Sequence, residues 1–549
     1  VSLFVPPFLV YLLGAPALFL LKGRARQVYL VALAALGAAL AFLLPEGSGW
    51  VVPFMEYKLI LLRADRLSLL TGYIFSLITL VAVLYAAAFA RPRLHLYALL
   101  YAGTSLGAVF AGDYVTLLIF WEAMAITSTL LVWERGGDAV PAGFRYLLFH
   151  ALGGALLAGG IALHFFDTGS LAVGPVSGWW SSVLIALGAG VNVGFIPLHT
   201  WLPDTYPRSH IAASVFLSVY TTKAAVYLFA RAAPGVEAIA LMGGVMAVYG
   251  VSFALVQNNM RKLLSYHIVS QVGYMVAGVG IGTAAGINGG MAHVFNHILY
   301  KALLFMAIGA VVHATGRETM DRLGGLGRKM PVTAATFWVA AFAISGVPGF
   351  NGYVSKGMVL DAAHDLLVLR ILLEVAAFGT FLSFLKVGYF VFLRPGDAEG
   401  RDPPFVMRAA QAFTAALCVA IGLVPSILFG ILPQPNAYDP WTASHLFEAL
   451  LVLAAAAGTF LVVGRAWLFP HAPRAKDVDV AYVAAGRGLV VASRALLNAF
   501  RAVYDGVLTA VSGLGRVSRR SQTGDLNWNS VGLAIALILV LLWLVWEVV

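Results

Sequence analysis

Apolar runs of about 20 residues, parted by short polar loops, recur along nearly the whole chain, and each is long enough to cross a hydrocarbon core as a helix. The pattern predicts about sixteen spans, near 1–21, 28–45, 66–90, 94–112, 113–133, 143–166, 178–199, 210–233, 236–257, 263–284, 288–314, 331–365, 370–394, 405–431, 443–469 and 529–549. Residues 51–66, after the second span, alternate polar and apolar positions and predict a small extramembrane hairpin. No cleavage pattern follows the first run, so residues 1–21 read as a retained span. The expected fold is an all-α integral membrane protein.

Two spans carry breaks. The seventh contains Gly194-Phe195-Ile196-Pro197-Leu198-His199, and the twelfth contains Ser345-Gly346-Val347-Pro348-Gly349-Phe350-Asn351-Gly352. A proline inside a helix removes a hydrogen bond and clashes with the preceding turn. In lipid such a break persists only where protein or water satisfies the freed backbone groups. Interruptions five helices apart are the pattern of an internal repeat in a transporter, with the ion path at the breaks. The chain accordingly divides into N-terminal helices with the hairpin (1–93), a first five-helix repeat (94–233), a second, inverted one (236–394), peripheral helices (405–469), an amphipathic connector (470–528) and a last span (529–549). The first fourteen spans form the core. In the connector Arg487, Arg494, Arg501, Arg516, Arg519 and Arg520 interleave with Val490, Leu497, Phe500, Tyr504, Val507 and Leu514, a pattern suited to the membrane surface or to docking against sister subunits.

Composition agrees with the pattern. Of 549 residues 61% are hydrophobic and 11% charged, where soluble domains carry roughly 25% charged residues. The single cysteine, Cys418, excludes a disulfide framework and a cysteine-based metal site. The net charge of +10 is a topology signal rather than a nucleic-acid footprint: with the loop 22–26 taken as cytoplasmic, most of the 35 Lys and Arg fall on that side, which places both termini outside. The chain shows no Walker motif, dinucleotide fingerprint or nucleophile elbow, so no cofactor is expected and energy must come from an ion gradient or a partner.

The candidate chemistry lies inside the spans. Glu122, Lys223, Lys301, Lys356 and Lys386 sit well within apolar runs, whereas Asp361 and Glu374 lie nearer span ends. A charge at the bilayer centre costs about 2.5–3.5 kcal/mol on insertion scales. One acid cannot pair off four bases, so some of the set must be neutral, hydrated or bridged by water. His293, His297 and Lys301, at i, i+4 and i+8, share one helix face as a file of titratable groups. Hydrogen-bonded core histidines are the bland alternative, and a metal site at the histidine pair a second, without an evident third ligand. His199, Asp204, His210, His267 and His150 are ambiguous, with His199 and Asp204 flanking the seventh-span break where a proton could enter; His313 and His364 read as helix-end residues. Gly153-Gly154 and Gly159-Gly160 read as close helix packing.

Taken together, Phe120-Trp121-Glu122-Ala123-Met124, Pro197-Leu198-His199-Thr200-Trp201-Leu202-Pro203-Asp204, Arg261-Lys262-Leu263-Leu264-Ser265-Tyr266, the His293-x3-His297-x3-Lys301 file and Gly352-Tyr353-Val354-Ser355-Lys356 resemble the antiporter-like subunits shared by respiratory complex I, membrane-bound hydrogenases and Mrp-type Na+/H+ antiporters, nearest the D-like subunit of the last. The resemblance implies that Glu122, Lys223, Lys301 and Lys356 are the translocating residues, with His293 and His297 lining the axis between them. Asn192 departs from the family, which usually has a lysine there as partner of the fifth-helix glutamate. Lys223 is therefore expected to stand in as the partner of Glu122. The implied function is ion translocation, of protons and in the antiporters also of sodium, within a hetero-oligomeric complex of a bacterial or archaeal cytoplasmic (inner) membrane. A proton-pumping subunit of a redox-driven complex, with catalysis in partner subunits, is the alternative. A non-conducting scaffold is a third reading, which leaves four buried lysines unexplained.

Overall fold

The computed structural model describes residues 4–464, 476–521 and 524–548; parts of the first and fifteenth expected spans and of the connector lie outside them. The chain forms two units, Val1–Ala475 and Lys476–Val549.

All sixteen expected spans contain helix. Among the described residues twelve helices are long and apolar enough to cross a membrane, and three shorter apolar ones, Pro7–Phe19, Trp179–Val193 and Pro331–Ser345, accompany them. Two spans, the fourth (Pro92–Phe110) and the tenth (Met260–Ile281), are less apolar because they carry polar residues such as His95, Ser105, His267 and Gln271, all of them buried inside the bundle. The helix starts are set by side-chain caps that satisfy otherwise orphaned N–H groups. Asp113 Oδ1 accepts from Thr116 N at 2.8 Å, Asn259 Oδ1 from Lys262 N at 3.0 Å, and Thr283 Oγ1 from Gly286 N at 3.1 Å.

The expected hairpin is present as two antiparallel strands, Gly49–Phe54 and Tyr57–Arg63. It is pinned to the bundle because Asp113 Oδ2 also accepts from Ile60 N at 2.6 Å while Ile60 O accepts from Gly112 N at 2.8 Å. At its end Asp65 caps the third span (Arg66–Ala86) and pairs with Arg231 at the end of the eighth. Burial works against ionisation of Asp65, but the bond and charge of Arg231 and the Ser68 N–H outweigh it, so its carboxyl titrates below the ordinary range.

Close packing of helices comes from small residues. A Cβ on Gly243 of the ninth span (Glu237–Leu255) would lie 2.5 Å from the Gly273 carbonyl of the tenth, so the two backbones meet directly. Gly153 and Gly160 of the sixth span (Ala139–Thr168) do the same against the seventh. Gly154 does not: its missing side chain makes room for the carboxylate of Glu122, which corrects the expectation of helix packing there.

Both expected breaks are present. The seventh span ends at Val193 on left-handed Gly194 (φ 82°) and the first half of the twelfth at Ser345 on left-handed Gly346 (φ 80°), each after a helix of 15 residues. The freed backbone is satisfied by protein: Trp201 Nε1 donates to Val191 O at 2.9 Å, and Asn296 Nδ2 on the eleventh span donates to Asn351 O at 2.7 Å where the twelfth resumes (Asn351–Ala362). The sequence analysis did not foresee a third break. The eighth span is two helices, Ile211–Leu217 and Thr221–Ala232, interrupted at residues 218–220 where neither glycine nor proline stands.

In the second unit, Asp479–Ser521 is one continuous helix of 43 residues, followed by Leu526–Val548. Arg487, Arg494 and Arg501 recur every seven residues along it, forming one charged stripe.

Candidate functional site

The site is built around the eleventh span, Ala284–Thr315, whose residues are buried without interruption from Asn288 to Val311. A helix wholly enclosed in this way has no solvent face for polar groups, yet it carries His293, His297 and Lys301, each fully buried. His293 Nδ1 lies 3.0 Å from Ser355 Oγ on the twelfth span, and its Nε2 lies 3.2 Å from Tyr300 Oη. The His297 ring stands 5.3 Å from the Tyr300 ring and 6.2 Å from that of His293. Neither ring nitrogen of His297, nor Lys301 Nζ, has a hydrogen-bond partner among the described residues. This file therefore has direct polar links at its His293 end and open valences at its Lys301 end.

The break in the twelfth span places Lys356 at the same centre. Its stem packs 3.4 Å from where a Cβ on Gly346 would stand, and its ammonium sits 4.9 Å above the Tyr274 ring. Tyr274 in turn lies 5.5 Å from the His293 ring. His267, fully buried on the tenth span, is within electrostatic reach of both Lys301 and Lys356, and neither of its ring nitrogens has a hydrogen-bond partner among the described residues.

Lys223 approaches the file from the other side. It is fully buried, starts the second half of the eighth span, and lies within electrostatic reach of His297 and Lys301. Its ammonium donates to Ser218 O at 2.6 Å, one of the carbonyls freed by the break in its own span. Glu122, on the fifth span (Tyr114–Trp133), is only partly buried and lies over Gly154. Among the described residues no ion pair or hydrogen bond joins Glu122 to Lys223, so the direct pairing expected of them is not formed. Asn192 is fully buried against Gly153, and neither atom of its amide has a hydrogen-bond partner among the described residues.

The other candidates fall away from the centre. Lys386 Nζ donates to Leu255 O at 2.7 Å and to Gln257 O at 2.9 Å, capping the end of the ninth span. Asp204 forms ion pairs with Arg145 and Arg208, and His210 Nδ1 accepts from Ala212 N at 3.2 Å as a helix cap. His150 is stacked on Tyr146, 3.9 Å between ring centres, and His199 stands 4.9 Å from the Tyr249 ring. His313 packs beside Phe89, and His364 lies exposed beside Asp365. The sequence reading missed Tyr300, Ser355 and Tyr274. Tyr300 had a signal, since it follows His293 by seven residues and so returns to the same helix face. Ser355 and Tyr274 had none, because only packing of the tenth and twelfth spans brings them here.

Residues 111–383 match the profile of the NADH:quinone oxidoreductase/Mrp antiporter transmembrane family. The chain is 33% identical over 357 residues to an uncharacterised protein of Methanocaldococcus jannaschii, covering 59% of this chain and 73% of that one. It is 26% identical over 576 residues to hydrogenase-4 component B of Escherichia coli, covering 87% of this chain and 84% of that one. Two longer relatives are spanned only in part. One is a probable K(+)/H(+) antiporter protein of Rhizobium meliloti, 29% identical, of which 40% is covered by 67% of this chain. The other is a Na(+)/H(+) antiporter protein of Staphylococcus haemolyticus, 27% identical, of which 53% is covered by 68% of this chain. Among solved structures, a chain of the Mrp complex from Dietzia sp. shares the fold with a TM-score of 0.71 at 23% identity, over 85% of this chain and 99% of that one. A chain of the membrane-bound sulfane sulfur reductase, an archaeal respiratory membrane complex, does so with 0.72 at 21% identity, over 98% and 99%.

Proposed function

This chain belongs to the NADH:quinone oxidoreductase/Mrp antiporter transmembrane family, and we propose that it moves protons across the membrane along the buried file of Lys223, Lys301, His297, His293 and Lys356, as the D-like subunit of an Mrp-type cation/proton antiporter. It is a multi-pass, antiporter-like membrane subunit of the Mrp, complex I or hydrogenase type. The observation that carries the proposal is the enclosed eleventh span, where two histidines and a lysine occupy successive turns with neither His297 nor Lys301 hydrogen-bonded by protein among the described residues.

Buried polar groups without protein partners are satisfied by internal water, and water is what lets a proton pass between groups too far apart to bond directly. Histidine, tyrosine and lysine each accept and release a proton, and His293, Tyr300 and Ser355 already form a continuous hydrogen-bonded segment. Lys301 and Lys356, at opposite ends of that segment, repel each other's charged forms through the same low-dielectric core, so protonation of one favours release from the other. Other membrane subunits supply the driving reaction or the sodium pathway.

The test is proton flux in proteoliposomes holding the purified complex. Lys301→Ala and Lys301→Arg are both expected to lose flux while assembling normally, the second because a guanidinium does not release its proton. Full flux in either variant would rule the file out.

A second reading is favoured by one observation. The chain matches hydrogenase-4 component B nearly end to end, whereas it spans about half or less of the two antiporter relatives. On that reading the same file is driven by redox chemistry in partner subunits. Identifying the subunits that co-purify separates the two: an iron–sulfur or flavin partner supports the redox complex, and sodium-dependent proton flux supports the antiporter.

A further inference from the structure

A chamber of about 340 Å³ leads away from the twelfth-span break between the twelfth, thirteenth and fifteenth spans. Lys356 and Ser345 stand at its inner end, 3% and 5% exposed, and neither Lys356 Nζ nor Ser345 Oγ has a hydrogen-bond partner among the described residues. Its walls are largely apolar, including Leu360, Ala377 and Leu453. At its mouth Arg370 of the thirteenth span (Leu367–Leu393) is held between two carboxylates, Nε 2.9 Å from Glu374 Oε1 and Nη2 3.0 Å from Glu448 Oε2. Glu448 belongs to the fifteenth span (Ala443–Val462), so this pairing crosses the mouth. A second contact crosses beside it, from His445 Nε2 to Asp361 Oδ1 at 3.6 Å.

We propose that this chamber is the passage by which protons leave or reach Lys356, and that Arg370 is the positioning residue that latches its mouth. The inference rests on the reading that protons move through Lys356. An apolar corridor ending on an unsatisfied ammonium and hydroxyl is suited to a short file of water and to no large ligand. At the mouth Asp361, Glu374 and Glu448 outnumber Arg370, which favours cations and disfavours anions at the entrance. Arg370 cannot relay a proton itself. By engaging Glu374 and Glu448 together it keeps both ionised and draws the fifteenth span against the thirteenth. Partly exposed ion pairs of this kind are individually weak, so the latch can open without local unfolding. Release of Arg370 frees two carboxylates to take up a proton at the point where the corridor opens.

The test exploits the single cysteine. In a Cys418→Ser background, Ser345→Cys places a thiol at the inner end of the chamber. The whole complex is reconstituted in proteoliposomes and exposed from either side to a membrane-impermeant, cationic methanethiosulfonate, with modification of this chain followed by mass. Modification is expected from the side bearing residues 363–366, and Arg370→Gln should speed it about tenfold. Glu448→Gln, a milder change at a half-exposed residue, should do the same and guards against misfolding of the arginine variant. Equal rates in wild type and both variants, or modification only from the opposite side, would overturn the proposal. Lys301→Ala should abolish flux yet leave this labelling intact, so failure of the file and failure of the latch are read separately.

Discussion

The ammonium of Lys223 donates to the carbonyl of Ser218 at 2.6 Å, closing a break in its own span rather than reaching Glu122 on the fifth. The lysine thus has a structural bond in addition to its place beside Lys301, and the carboxylate of Glu122 is left to the space over Gly154.

Because the two share no bond, their effects on stability should add. Lys223→Met leaves the Ser218 carbonyl without its partner, a loss of about 1–3 kcal/mol for a buried group. Glu122→Gln should cost less, since the carboxylate is partly exposed. Thermal unfolding of the two single variants and the double is expected to show additivity within about 0.5 kcal/mol. A double variant no less stable than Lys223→Met alone would mean that they act as one unit.

Gly154→Ala should separate position from folding. The added methyl would overlap Glu122 Oε1, the far end of a flexible side chain that can swing aside, and alanine favours the helix by about 1 kcal/mol over glycine. Stability is expected to hold while proton flux falls as it does in Glu122→Gln. Gly159→Ala, whose Cβ would meet nothing nearer than Leu184 at 3.6 Å, serves as the control and should keep full flux.

Lys386→Met should act through structure alone. It removes the donor to the Leu255 and Gln257 carbonyls at the end of the ninth span. The expected result is a melting temperature lowered by several degrees with flux per assembled complex unchanged. A flux loss beyond the loss of assembled complex would return Lys386 to the proton path.

Asp65 gives the fold a pH dependence at the hairpin. Its carboxyl is held below its ordinary range in the folded state, so its stabilising contribution is present above about pH 4, the unfolded value, and is lost as pH falls further. Asp65→Asn should therefore melt lower than wild type at pH 7, with the gap narrowing below about pH 4. A gap independent of pH would assign the effect to the Ser68 cap rather than to the charge paired with Arg231.

The sequence by itself determined the spans, because a run of about 20 apolar residues has one stable state in lipid. It also determined the breaks in the seventh and twelfth spans, since Gly194, Pro197, Gly346 and Pro348 act on their own backbone. The file of His293, His297 and Lys301 was legible for a similar reason: spacing of four residues fixes a shared helix face without reference to the rest of the fold. The eighth-span break was not legible, because no residue at 218–220 breaks a helix, and the freed Ser218 carbonyl is stabilised by Lys223 five residues on. Nor could sequence distinguish Gly154, which makes room for a carboxylate, from Gly153, which admits a neighbouring helix, or Lys386, which caps the ninth span, from Lys356, which faces the centre. These distinctions depend on which helix lies against which face, and that is set by contacts between residues far apart in the chain, which only the tertiary structure decides.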